Sequence, residues 1–194
     1  MNGGLGAESV QLVAKEKKPS KPNVRKLSLV AEDPALAGPD RPLCQLCGLF
    51  QAKDKYGKAP RRPFMPAHVP EGWTRRLLGV GEGPGGDEDL NSGRPFTGES
   101  GQLLRKWLAE HDFGAQDVAL TNSVRCRPPD NATPNMTQIR CCRPFLLWEL
   151  EHLKPATVLA LGNTATRALT NDGEAAVTKL RGRPLTIPKE EERT

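Results

Sequence analysis

The side chains best suited to chemistry lie in a few short stretches. Cys44 and Cys47 form a C-x2-C pair, and Cys126, Cys141 and Cys142 follow far downstream. Two residues between the first pair let both thiolates reach one centre from a tight turn. Four thiolates can hold tetrahedral zinc or an iron–sulfur cluster, and buried thiols are the plain alternative. The wide gap to the second group suits a cluster staple better than a zinc ribbon. Glu82 stands among glycines in GVGEGPG (79–85), with Glu88 and Asp89 just beyond. Phe96 sits in RPFTG between Pro95 and Gly98, outside any apolar period, and Asn122 closes the apolar run DVALTN.

The elements that must position these residues alternate in type. RRLLGVGE (75–82), DVALTNSV (117–124) and ATVLALG (156–162) read as short strands, the last nearly all apolar as a buried parallel strand is. ESGQLLRKWLAEHDF (99–113) reads as a helix with Leu103, Leu104, Trp107 and Leu108 on one face. MTQIRCCRPFLLWELEHL (136–153) is helical with a kink or break at Pro144, and 163–172 is a short helix that Asn163 can cap. Strands alternating with helices predict a parallel sheet with helices on both faces. Functional loops then lie outside the carboxyl ends of the strands, where both GEGPG and TNSVRC fall.

Composition sets wider bounds. The 194 residues suit one domain plus tails, and 37% hydrophobic content suffices for one modest core. A net charge of +5 leans towards a polyanionic partner. Residues 1–42 are rich in Lys and Pro and read as a disordered basic arm, with the organised domain spanning 43–194. No apolar run is long enough for a membrane span and no secretory leader is visible, so the expected setting is the cytoplasm, with cysteines reduced.

GEGPGGDED, GRPFTGESGQLL, LTNSVRCRPP, CRPFLLWELEHLKPATVLALG and RGRPL, in this order, resemble the family 4, iron–sulfur type, uracil-DNA glycosylases of bacteria, archaea and phages. The resemblance covers about residues 43–187. It implies a three-layer α/β/α fold with a mostly parallel central sheet. It also implies base-excision repair by a nucleoid-associated monomer that hydrolyses uracil from single- or double-stranded DNA. Its [4Fe–4S] ligands match Cys44, Cys47, Cys126 and Cys142. Cys142 is matched rather than Cys141 because it carries the following Arg143-Pro144.

By the same resemblance Phe96 stacks on the extruded uracil and Asn122 reads its edge. Glu82 orients or deprotonates the attacking water, while Gly81 and Gly83 let the backbone approach the base. Glu88 and Asp89 are second candidates for the acid, with a solvated acidic face as their plain reading. Arg125, Arg127 and Arg143 are expected along a phosphate track, and Ser100 opens a helix whose amides can bind a phosphate.

Three departures accompany the resemblance. KDKYGKAPRRPFMPAHVPEGWT makes the gap after Cys47 longer than the family's. The loop RPPDNATPNMTQIRC holds no histidine, so covalent trapping of an abasic product is not expected. The family's later His-Pro-Ser-like motif has no counterpart before the final TIPKEEERT, and none of His68, His111 and His152 stands in its place. Slow excision, or uracil and DNA binding without turnover, is therefore the alternative expectation.

Overall fold

The computed structural model describes Ser9–Val10 and residues 47–188. Of the basic arm, only Ser9–Val10 (β1) falls within it. These two residues pair antiparallel with Leu185–Thr186 (β5). The remainder of the arm lies outside the described residues.

The three expected strands form one parallel sheet in the order β3-β2-β4: Leu77–Gly81 (β2) at the centre, Val118–Asn122 (β3) and Val158–Ala160 (β4). Gly81 is in register with Asn122, and Gly79 with Leu120 and Leu159. The period of two along each strand divides the faces. Leu78, Val80, Ala119 and Val158 enter the main core. There they meet Ile139, Leu146 and Leu153 of Met136–Leu153 (α2) and Ala165, Ala168 and Leu169 of Asn163–Thr170 (α3). The opposite face, carrying Gly79, Gly81, Leu120 and Asn122, meets Phe96 and the loop that starts Glu99–Glu110 (α1). A short helix, Val177–Leu180 (α4), precedes β5. No helix among the described residues is long and apolar enough to cross a membrane.

Three local readings change in the structure. α2 runs unbroken through Pro144, started by a capping box between Asn135 and Gln138. Gly162, not Asn163, caps α3, because the Asn163 side chain instead accepts from the backbone N–H of Val177 at 3.0 Å. On α1 Gly101 and Leu104 are buried, while Leu103 and Trp107 are 46% and 55% exposed. The buried stripe runs through Gly101 and Leu104, and Leu103 and Trp107 belong to the next stripe round the helix.

The long gap after Cys47 is a strap rather than filler. Met65 N–H donates to the Arg125 carbonyl at 2.7 Å, and His68 and Leu120 exchange two backbone bonds at 2.8 and 3.0 Å. Ala67 N–H reaches Glu149 Oε1 at 3.1 Å. Segment 64–68 thus covers the outer edge of β3, which would otherwise present unpaired backbone groups.

Candidate active site and cysteine centre

The site is built where three parallel strands end. After β2 and β3 the chain stays paired: Ser123 gives both its N–H and its hydroxyl to the Gly81 carbonyl, at 2.8 and 2.6 Å, and Val124 N–H reaches Glu82 O at 3.1 Å. This fixes the height at which Gly81, Glu82 and Asn122 leave the sheet.

Gly81 must lack a side chain. A Cβ there would stand 2.7 Å from Asn122 Oδ1 and 2.9 Å from Phe96 Cε2, well inside van der Waals contact. The ring of Phe96 and the amide of Asn122 therefore converge on one bare stretch of backbone. Phe96 itself has φ +60°, a conformation that costs a non-glycine residue about 1 kcal/mol or more. Its carbonyl accepts from Arg105 Nη1, and its backbone lies against Gly101, where any Cβ would collide with it. The ring is half-buried. Asn122 is 3% exposed, yet its amide has no hydrogen-bond partner among the described residues. The small exposed part of Asn122 is therefore where its amide meets the pocket, open to a ligand with the matching pattern. Gly83, half-buried, packs beneath Val124.

Glu82 is exposed, and its Oε2 accepts a 2.6 Å hydrogen bond from the Thr164 hydroxyl. Thr164, 2% exposed, lies in the first turn of α3, just past the end of β4. Sequence reasoning missed it. The available signal was its place in GNTAT directly after the third strand, where attention went to Asn163.

The other two acids are not a solvated face. Glu88 is buried and clamps the loop: Oε2 accepts from Gly85 N–H at 3.0 Å, and Oε1 from Thr97 and Gly98 N–H at 3.1 and 3.2 Å. Asp89, 2% exposed, accepts from the N–H groups of Arg61 and Arg62 at 3.1 and 2.7 Å. Both carboxylates are consumed in shaping the loop that presents Phe96.

The expected phosphate track is also corrected. Arg125 is 1% exposed and bonded to Thr121 Oγ1 and Glu149 Oε2, at 2.5 and 2.8 Å. Arg143, equally buried, donates to the carbonyls of Ala168, Leu169 and Pro188, so it serves the C-terminal end of α3. Neither guanidinium reaches solvent, so neither can meet a phosphate. Arg127 is partly exposed but tied to Asn131 Oδ1 at 2.8 Å and lies 3.9 Å from Asp89 Oδ2. Ser100 is exposed in the first turn of α1.

Cys44 lies outside the described residues. Cys47, Cys126 and Cys142 share the main core, the last two buried. A hydrogen bond from the Cys142 thiol lowers the Cys47 thiol to about 6, and the same bond, with burial, pushes Cys142 up. Cys126 Sγ accepts the Phe64 N–H at 3.3 Å, and the Arg125 backbone N–H and guanidinium favour a thiolate at Cys142. Among the described residues no group of three or more His, Cys, Asp or Glu side chains is assembled for a metal ion. The chemistry of the donor set nonetheless fits a thiolate-bound group. Its sulfurs are enclosed in apolar surroundings, receive backbone N–H bonds and lie near a buried cation.

Residues 70–190 match the family model described as the Uracil DNA glycosylase superfamily. The chain belongs to that superfamily. Within the superfamily, it is 42% identical to the Type-4 uracil-DNA glycosylase of Thermotoga maritima, over 57% of each chain. It is 46% identical to that of Pyrobaculum aerophilum, over 58% of each. With that of Saccharolobus solfataricus it shares 35% identity over 72% of this chain and 62% of the relative. The chain thus spans under two thirds of the length of these superfamily relatives.

Proposed function

We propose that this chain excises uracil from DNA, leaving an abasic site as the first step of base-excision repair. The observation that carries the reading is the convergence of Phe96 and the unpaired Asn122 amide over Gly81. Extruding a base from the stack requires a pocket that stacks on its face and reads its edge. Phe96 supplies the face, worth about 1–3 kcal/mol per stacked base. The Asn122 amide can accept from uracil N3–H and donate to O4. Cytosine presents the reverse pattern, which the amide pairs only if it turns over. The superfamily relatives, each a Type-4 uracil-DNA glycosylase by name, agree with this reading.

Glu82 is the group proposed to act on water. Thr164 holds one of its carboxylate oxygens and leaves the other for a water directed at C1′ of the deoxyribose. The water oxygen bonds to C1′ as the bond from C1′ to N1 breaks, and the bonding pair departs with uracil. The water proton passes to the carboxylate. The same negative charge stabilises the oxocarbenium-like sugar, as in glycosidases.

Cys44, Cys47, Cys126 and Cys142 would hold a [4Fe–4S] cluster. When bound it supplies a structural staple between the segment before the strap, the end of β3 and the middle of α2. Brown protein with equal iron and acid-labile sulfide after anaerobic preparation supports this, and zinc without iron refutes it. The decisive test of function is release of free uracil from a uracil-containing oligonucleotide, compared with the same strand carrying cytosine. No release of uracil from cluster-loaded protein overturns the proposal.

A further inference from the structure

The arginines expected to meet DNA are buried, and a different set of cations surrounds the pocket. Arg94 stands two residues before Phe96, is exposed, and has no hydrogen bond or ion pair for its guanidinium among the described residues. Arg105, also exposed, reaches the Phe96 and Gly101 carbonyls through Nη1 alone, so its Nη2 and Nε have no partner among the described residues. His68 is fixed on the outer edge of β3 by its paired backbone bonds to Leu120. Residues paired in this way share a sheet face, so His68 lies on the face that carries Leu120 and Asn122, above which Phe96 sits.

We propose, on the reading that the chain excises uracil from DNA, that Arg94, Arg105 and His68 form a cradle for a DNA backbone phosphate beside the base pocket. Arg94 and Arg105 are charged with no carboxylate paired to either among the described residues, so in the free protein they repel each other and disfavour a proton on His68. Burial and the charges of Arg94 and Arg105 hold His68 below the usual imidazole range. A phosphate removes that repulsion and accepts from several of these donors at once. The contrast with Arg125 and Arg143 is one of burial: both guanidinia are 1% exposed and bonded inside the fold, and the Nε that Arg125 leaves without a partner is sealed from any phosphate. Phosphate contacts position a nucleic acid without reading its sequence. A cradle beside Phe96 therefore fixes the strand while Asn122 does the reading.

Arg94 is the clean residue to change, because no contact of the folded chain depends on its guanidinium. Arg94→Gln should weaken binding to a single-stranded oligonucleotide about tenfold at low salt, equally for uracil- and thymine-containing strands. The slope of log affinity against log salt should fall by about 0.7, the value for one lost phosphate contact. Arg94→Lys should restore most of the slope. Arg75→Gln, an exposed arginine at the opposite end of the sheet, should change neither quantity. Unchanged affinity and slope in a folded Arg94→Gln protein overturn the cradle, as does a loss confined to uracil-containing strands. DNA binding that depends on Arg94 in a protein that releases no uracil supports the cradle and refutes the glycosylase reading instead.

Discussion

The two ends of the parallel sheet are built on opposite rules. At the amino end, polar groups are saturated. Asp117 accepts from the Thr74 hydroxyl at 2.7 Å, from Arg76 at 2.8 Å and from Gly114 N–H at 2.9 Å. Trp73 Nε1 donates to the Asp117 carbonyl, and the Arg76 guanidinium lies 4.4 Å from the Phe113 ring centre. At the carboxyl end, the Asn122 amide has no partner within the described residues, Phe96 holds a left-handed backbone, and Arg94 carries an unneutralised charge. One end stabilises the fold with satisfied groups. The other keeps unsatisfied ones in place, which is what binding requires, because a group already bonded within the chain has nothing to offer a ligand.

Substitutions at the two ends should therefore separate activity from stability. The largest effect is expected at Asn122→Asp, whose carboxylate cannot donate to uracil O4. Single-turnover excision should fall about a hundred- to a thousandfold, as for loss of one positioned donor, with the thermal midpoint little changed. Parental excision by that variant would remove Asn122 from the reader's role. Asp117→Ala should do the reverse. It strips three bonds from a half-buried carboxylate and should cost about 1–2 kcal/mol in denaturant unfolding, while the rate per folded molecule holds. A drop in that rate would show the two ends to be coupled.

Thr164→Val is expected to be milder. It frees the Glu82 carboxylate to wander and should slow excision about tenfold, within the lower range for imperfect acid–base positioning. Binding of uracil-containing DNA should stay constant, and a change there instead would place Thr164 against the base.

The smallest effects concern pH, and they too divide by end. Burial raises the Asp117 carboxyl, but the bonds from Thr74 and Gly114 and the Arg76 charge outweigh it and leave it below the ordinary value. Its contribution is thus complete above the unfolded value and fades as pH falls below about 4. His68 is also depressed, by burial and by Arg94 and Arg105. The unfolded chain then binds the proton more readily, so stability should begin to decline as pH drops beneath about 6.5. His68→Gln should flatten the upper part of the unfolding curve, and Asp117→Asn only the lower part. Bound DNA should blunt the His68 component, since a phosphate favours the imidazolium.

Much of this was legible in the residues. The runs LLGVG, VALTN and VLA are apolar on both faces and end in small or polar residues, so they announce parallel strands with functional ends. Glycine at 81 and asparagine at 122 fall there by the same local pattern. What a residue type does with its length and charge was decided elsewhere. Arg125 and Arg143 look like surface arginines beside cysteines. They are buried because Glu149, a full turn and more down α2, and the carbonyls at the end of α3 meet them in space. Glu88 and Asp89 look like a solvated acidic run, yet the loop folds back to hold Glu88 with its own N–H groups, and the distant Arg61 and Arg62 N–H groups hold Asp89. His68 sits in a proline-rich stretch with no strand pattern and becomes an edge partner of β3 only through its bonds to Leu120. Strand period is a local property that the order of residues determines by itself. Whether a charged group faces water depends on segments distant in the chain, and only their packing decides which cations remain free for a ligand.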